Sequence, residues 1–301
     1  LDVYILSGFL GSGKTTVLQR LLQNDKHSGR RASVLMNEFG EFAVDSLLID
    51  QHTPLKELLN GCICCTMKDE VELHLLSLYK EHKPDVVYVE TTGVAHPIDV
   101  FDACLSPLIA PYICVKCIIT VVDVARWNSR DQLPRRMLKL ITEQVKHADN
   151  IILNKCDSVD QFVVDRAMEE IKAFNARASI QCVTYGNIRV NALLERDDIV
   201  IENKYEVLHV KKHLHIRSMT YEFQNPIDRR TFLKWTEHVE ENIFRIKGFV
   251  RFTDDPSQTY IFQYAYGEPC LIPISFSFPN NLVLIGTDLD REKIIPMLQC
   301  M

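Results

Sequence analysis

The chain has 301 residues, 47% of them hydrophobic and 25% charged, and a formal net charge of −6. That balance fits one large globular domain or two ordinary ones with a substantial core. It argues against a general nucleic-acid binder, which needs a basic face to displace counterions.

Ten cysteines at irregular spacing do not form a disulfide scaffold. A reducing cytoplasm is the expected compartment, and most of the lone cysteines (Cys104, Cys114, Cys117, Cys156, Cys182, Cys270 and Cys300) read as small buried hydrophobes. The opening residues carry no basic-then-apolar secretory pattern. The apolar stretch from Cys104 to Ala125 is interrupted by Pro107, Pro111, Lys116 and Asp123. It reads as a loop and a buried strand, not as a membrane span.

In chain order, short β-branched runs at Val3–Leu6, Ala32–Met36, Val86–Val89, Cys117–Val122 and Ile151–Leu153, with a weaker one at Ile180–Val183, predict strands. Helical patterns at Thr15–Gln23, Glu70–Lys80 and Asp165–Phe174 lie between them. Strands apolar in both register positions need cover on both faces, so residues 1–205 are expected to form a doubly wound, mostly parallel α/β domain. A charged, weakly patterned linker is expected from Asp197 to His213. Residues 206–301 are expected to form a smaller α+β domain: strand Ile216–Phe223, helix Arg229–Glu240, strands at Ile246–Phe252, Thr259–Tyr266 and Leu282–Ile285, and helix Asp290–Leu298.

The stretch Gly8-Phe9-Leu10-Gly11-Ser12-Gly13-Lys14-Thr15-Thr16 follows the first strand and opens the first helix. It matches the phosphate-cradling pattern in which backbone N–H groups and a helix N-terminus surround a β-phosphate. Lys14 can then reach the β- and γ-oxygens, and the Thr15 hydroxyl can ligate Mg²⁺.

The run Val86–Val89 ends in Glu90, followed by Thr91, Thr92 and Gly93. Glu90 is expected to hold Mg²⁺ through water, and the Gly93 N–H to meet a γ-phosphate. Asp123 ends another strand, either as a cap of the following turn or as a nucleotide-site group.

Asn154-Lys155-Cys156-Asp157 comes directly after the run Ile151–Leu153. A carboxylate at Asp157 can accept from the N1–H and N2 amino groups of guanine. Adenine would leave it unpaired, so GTP is the expected nucleotide. Thr184-Tyr185-Gly186-Asn187 either closes over the base or is a simple turn.

The segment Gly61-Cys62-Ile63-Cys64-Cys65 poses a separate question. A disulfide within it is geometrically poor, which leaves buried core or metal ligation. Thr66 is a candidate N-cap for the next helix, so Cys64 and Cys65 would sit where a helix dipole favours thiolate. Three converging cysteines still leave a tetrahedral ion one ligand short.

Taken together, "GFLGSGKTT", "NEFGE", "GCICC", "ETTG" and "NKCD" resemble the CobW-type GTPases, a metallochaperone-like branch of the P-loop proteins. Arg245-Ile246-Lys247-Gly248-Phe249 resembles part of that family's C-terminal domain. The resemblance implies slow GTP hydrolysis with Mg²⁺, coupled to delivery of zinc or cobalt to a client metalloprotein that docks on the C-terminal domain. It also implies Cys62, Cys64 and Cys65 as metal ligands, with Glu38 as a fourth ligand or a Mg²⁺ contact.

Glu38, Glu41 and Asp45 fall in a switch-like segment, 37–45. There Asp45 either orients the attacking water or is a solvated surface acid. GTP is expected to order this segment and draw the cysteines together. Many members carry a His-rich tract between the domains; this chain has His209, His213 and His215, as auxiliary ligands or as exposed linker residues. A plain P-loop kinase and a metal sensor or storage module with structural nucleotide are the rival readings.

Overall fold

The computed structural model describes residues 1–36, 53–57, 66–194, 198–200, 209–211, 217–265 and 267–301. These divide into two compact units, residues 1–104 with 113–196, and residues 105–112 with 197–301. The boundary expected between residues 205 and 206 falls among residues outside the description.

The first unit is built on β1 (Asp2–Ser7), β2 (Ala32–Met36), β3 (Leu55–Glu57), β4 (Val86–Glu90), β5 (Cys114–Asp123), β6 (Asn150–Asn154) and β7 (Ser179–Cys182). They form one seven-stranded sheet in the order β3-β2-β4-β1-β5-β6-β7, parallel at every pairing. The helices are α1 (Lys14–Ser28), α2 (Thr66–His82), α3 (Pro97–Cys104), α4 (Val124–Asn128), α5 (Arg135–Lys146), α6 (Gln161–Phe174) and α7 (Val190–Leu194). The doubly wound α/β architecture expected from the sequence is therefore present.

Near-complete burial of β1, β2, β4, β5 and β6 follows from two cores on opposite faces. On β6, Ile152 joins a cluster with Leu6, Val17, Leu18, Leu21 and Leu193. Its neighbours Ile151 and Leu153 point into the other cluster, with Ile141, Val145, Val164 and Ile171. Lys116 marks an irregularity: the β1–β5 register jumps between Val3↔Val115 and Tyr4↔Cys117. This skipped residue is buried, and its Nζ lies 3.5 Å from Asp2 Oδ1. A bulge thus accommodates a buried charge among the apolar residues of this strand.

In the second unit, β8 (Asp198–Val200) pairs antiparallel with β9 (His209–Lys211). The stretch expected to be a charged, weakly patterned linker therefore contains paired strands. Five more strands, β10 (Arg217–Glu222), β11 (Ile243–Phe252), β12 (Asp255–Ala265), β13 (Glu268–Ile274) and β14 (Asn281–Gly286), form an antiparallel sheet in the order β10-β14-β11-β12-β13. Helices α8 (Arg229–Thr236) and α9 (Arg291–Gln299) cover it with Phe232, Ile294 and Leu298, packed on Ile246, Val250, Phe262 and Leu284.

Helix α8 starts where expected, with Asp228 capping it by accepting the Thr231 N–H at 2.8 Å. It stops at Thr236, short of the expected Glu240. Glu237, Glu240 and Glu241 follow, and acids oppose the negative end of a helix.

The reading of lone cysteines as buried holds for Cys104, Cys114 and Cys117, whereas Cys182, Cys270 and Cys300 are exposed. No helix among the described residues is long and apolar enough to cross a membrane.

Candidate functional site

In an open α/β sheet, ligands bind outside the carboxyl ends of the strands where the winding reverses. Here β1 lies between β4 and β5 at that reversal. Residues 8–13, Glu90, Asp123 and Asn154 all sit at the carboxyl ends of their strands. The fold therefore converges sequence segments that lie far apart along the chain.

Helix α1 begins at Lys14 after Gly13, which has φ 102° and offers no side-chain cap. Its first-turn N–H groups are thus left for a ligand. A Cβ on Gly13 would lie 2.4 Å from Asn154 Nδ2, so only glycine fits there without displacing Asn154. Lys14 is 9% exposed. The Ser12 hydroxyl is buried with no hydrogen-bond partner among the described residues. A buried unpaired hydroxyl beside an uncapped helix end suits an anion that brings acceptors of its own.

Thr15 Oγ1 donates to Glu90 Oε1 at 3.3 Å, and Glu90 is 4% exposed. These are the two side chains expected to meet Mg²⁺, one directly and one through water, and they lie within reach of each other. A hydroxyl and a carboxylate are hard oxygen donors, so the pair fits that ion.

After Glu90, the Thr91 N–H and hydroxyl both donate to Leu6 O, at 3.0 and 3.3 Å, which holds the loop against β1. Gly93 runs so close to the phosphate loop that a Cβ would come within 2.4 Å of Leu10 N. Gln144 of α5, 1% exposed, donates from Nε2 to Gly93 O and to Ala95 O, each at 3.3 Å. Its own carbonyl accepts from Thr120 Oγ1 at 2.9 Å. Sequence reasoning missed this brace. A glutamine inside an amphipathic helix carries no signal of its own until the fold shows what it faces.

At the other end, Asn154 is buried and joins two loops. Its Nδ2 donates to Ser12 O at 2.9 Å, and its Oδ1 accepts the Gly186 N–H at 3.1 Å. Lys155, at φ 61°, turns its Nζ onto Gly11 O at 2.7 Å and Asp123 Oδ2 at 2.8 Å. Asp123 Oδ1 accepts the Arg126 N–H at 3.1 Å, so this acid caps α4 and also anchors Lys155. Asp157 stands exposed on the short turn Cys156–Ser158.

Cys156, between them, has its thiol pushed up to about 11, first by burial and then by the neighbouring Cys182. It is therefore a neutral thiol and not a reactive thiolate. The stretch Thr184–Asn187 forms a turn closed by Asn187 N–H to Thr184 O at 3.1 Å. Within it, Gly186 leans on Thr16 and Tyr185 is 76% exposed.

The structure thus brings together Gly11, Ser12, Gly13, Lys14, Thr15, Thr16, Glu90, Gly93, Asn154, Lys155 and Asp157. Glu38, Asp45, Cys62, Cys64 and Cys65 lie outside the described residues, as do His213 and His215, while His209 falls in β9. What is described flanks the cysteines and the switch-like segment. Strand β2 ends at Met36, whose register partner is Glu90. Helix α2 begins at Thr66, immediately after Cys65.

An open parallel sheet with an uncapped, glycine-framed helix start beyond β1 defines a P-loop nucleotide-binding protein. The sequence matches the description "CobW/HypB/UreG, nucleotide-binding domain" over residues 2–181 and "Cobalamin synthesis protein cobW C-terminal domain" over residues 216–301. The chain belongs to this CobW/HypB/UreG family of P-loop proteins.

Among its relatives, the zinc chaperone YjiA of Escherichia coli (strain K12) is 30% identical over 314 residues, spanning 97% of this chain and 96% of the relative. The zinc chaperone CobW of Sinorhizobium sp is 28% identical over 296 residues, spanning 85% and 83%. A crystal structure of Zn(II)-bound YjiA GTPase from E. coli aligns with a TM-score of 0.50 at 23% identity, covering 100% of this chain and 98% of that one. That likeness reflects the shared fold.

Proposed function

We propose that this chain is a GTP-hydrolysing metallochaperone that binds a transition metal, zinc foremost and cobalt next, and transfers it to a client protein. The observation that carries the reading is one crevice holding a phosphate loop, the Thr15–Glu90 pair and an exposed Asp157 braced through Asn154 and Lys155. Relatives named as zinc chaperones and as zinc-regulated GTPase metalloprotein activators support the cargo.

In this reading the α1 N-terminus, with Gly11, Ser12, Gly13 and Thr16, holds the phosphates, and Lys14 neutralises charge on the β- and γ-oxygens. Thr15 and Glu90 hold Mg²⁺, which supplies charge neutralisation along the phosphates. The Gly93 N–H senses the γ-phosphate, and Asp157 reads guanine. Asp45 orients the attacking water.

Cys62, Cys64 and Cys65 hold the cargo as thiolates, with Glu38 completing the tetrahedron. Glu38 comes two residues after Met36, the neighbour of Glu90 in the sheet. Cys65 comes one residue before α2. In this reading a change at the γ-phosphate reaches the segment after β2 through the Glu90–Met36 pairing. Thiolate cargo requires reducing surroundings, which places the protein in the cytoplasm. The client docks on the C-terminal unit.

Phosphate release measured with GTP and with ATP, each with and without Zn²⁺, tests the reading. GTP-selective release that responds to zinc is expected. Phosphate appearing on a small acceptor would instead mark a kinase, and zinc binding indifferent to nucleotide would mark a storage module.

A further inference from the structure

One cluster of ligating side chains is built from residues that the nucleotide site and the cysteines above do not use. His96, Glu143 and His147 place one ligand atom each within 4.8 Å of one another. The two histidine rings are 5.9 Å apart at 49°, and His147 Nε2 lies 3.1 Å from Glu143 Oε2. All three residues are half-buried.

Two rigid elements fix the arrangement. Glu143 lies in the last turn of α5, and His147, four residues on, is the C-cap whose N–H bonds back to Glu143 O, so the two side chains are neighbours at that helix end. That helix is seated on the sheet by Ile141, Gln144 and Val145. His96 is set by the start of α3, where its carbonyl accepts the Asp99 N–H at 3.1 Å and Pro97 occupies the first helical position.

From this geometry we infer that His96, Glu143 and His147 form a second transition-metal site, one that uses none of the cysteines. Two imidazoles and one carboxylate select Zn²⁺ or Co²⁺ over Mg²⁺ and Ca²⁺, which take oxygen donors. Around a tetrahedral zinc, ligand atoms sit about 3.3 Å apart, given bonds of roughly 2.0–2.1 Å. The donors must therefore draw in by up to about 1.5 Å, within reach of side-chain rotation at a half-buried surface. Entry of the ion replaces the His147–Glu143 hydrogen bond with two metal bonds.

Three protein ligands leave a coordination position open to water or to an incoming ligand, so the ion is exchangeable, unlike one in a closed four-ligand structural site. Position adds a consequence. Residue 96 follows three residues after Gly93, and α5 already holds the Gly93 and Ala95 carbonyls through Gln144. An ion here adds a second tie between the end of that loop and α5.

The test uses the full chain with Cys62, Cys64 and Cys65 replaced by serine, without nucleotide, so that it is independent of the function proposed above. Equilibrium dialysis against Zn²⁺ or Co²⁺ is expected to retain about one equivalent. His96→Ala and His147→Ala should each weaken retention at least tenfold. The bound Co²⁺ should show visible ligand-field bands without thiolate charge-transfer absorption. In the chain with all its histidines, zinc should also protect His96 and His147 from diethyl pyrocarbonate, read by peptide mass spectrometry, whatever the folding of the variants. Absence of metal from the serine-substituted chain, or retention that both histidine variants leave unchanged, would overturn the site. So would equal modification of the two histidines with and without zinc.

Discussion

Asn154 carries two jobs in one buried amide: it ties the Ser12 carbonyl to the Gly186 N–H, and so joins the phosphate loop to the turn beyond β7. Removing it leaves a buried donor and acceptor without their partner, at a cost of about 1–3 kcal/mol. Asn154→Ala should lower the denaturant midpoint accordingly and weaken binding of a fluorescent GDP analogue. An unchanged midpoint would show that the bridge is dispensable. Asp157 makes a different demand, because its carboxylate is exposed and the proposed function assigns it to the guanine base. Asp157→Asn presents one acceptor and one donor, which matches xanthine and mismatches guanine. GTP affinity should fall roughly 100-fold, as expected from losing a charged hydrogen bond, while XTP gains. Competition titrations decide it, and retained GTP preference would remove Asp157 from base recognition. At this scale the motif was legible in the sequence as a nucleotide-site signal. The pairing of Lys155 with Gly11 and Asp123 was not, because no local pattern records which distant carbonyl a lysine will meet.

Helix α5 links the sheet to the loop after Glu90. Because Gln144 holds the Gly93 and Ala95 carbonyls, Gln144→Leu should release a segment that matters when a γ-phosphate is present. Single-turnover GTP hydrolysis is expected to slow several-fold while GDP affinity stays within twofold, since the proposed reading has Gly93 meet only the γ-phosphate. Equal losses in both would mean a general folding defect. The entry to β2 offers a pH-dependent test. Arg31 grips Asp85 through Nη2, Nε and its backbone N–H, and these bonds hold the Asp85 carboxyl down at about 2. A carboxyl lowered in the folded state stabilises the protein above its ordinary value of 3.8 and loses that contribution as pH falls toward 2. Thermal midpoints of the native chain and Asp85→Asn should differ at neutral pH and converge near pH 2. With Asp85 partly exposed, the gap should be small and salt-sensitive. Among elements, the buried parallel strands were legible because both of their faces are apolar. Strand β13 was not, because Pro269 and Pro273 argue against a strand unless it lies at a sheet edge, where this one is.

At the scale of the whole molecule, a change in texture near residue 205 pointed to two parts, but the membership of residues 105–112 carried no signal. That short stretch groups with the second unit, where Asn281 Nδ2 donates to Pro107 O at 3.0 Å across a long sequence separation. The function proposed above rests on coupling between nucleotide and cargo, and thermodynamics constrains it. If GTP tightens zinc tenfold, about 1.4 kcal/mol, zinc must tighten GTP by the same factor. Zinc affinity should therefore be higher with a non-hydrolysable GTP analogue than with GDP, and analogue affinity should rise by an equal factor when zinc is present. Paired titrations measure both sides of the cycle. Repeating them with His96→Ala, and separately with Cys64→Ser, assigns the coupling to one metal site or the other. If the cysteines carry the cargo, the Cys64 variant abolishes reciprocity and the His96 variant preserves it. Equal zinc affinities in the GDP and analogue states would instead mean that phosphate chemistry does not control metal release, whichever site holds the ion.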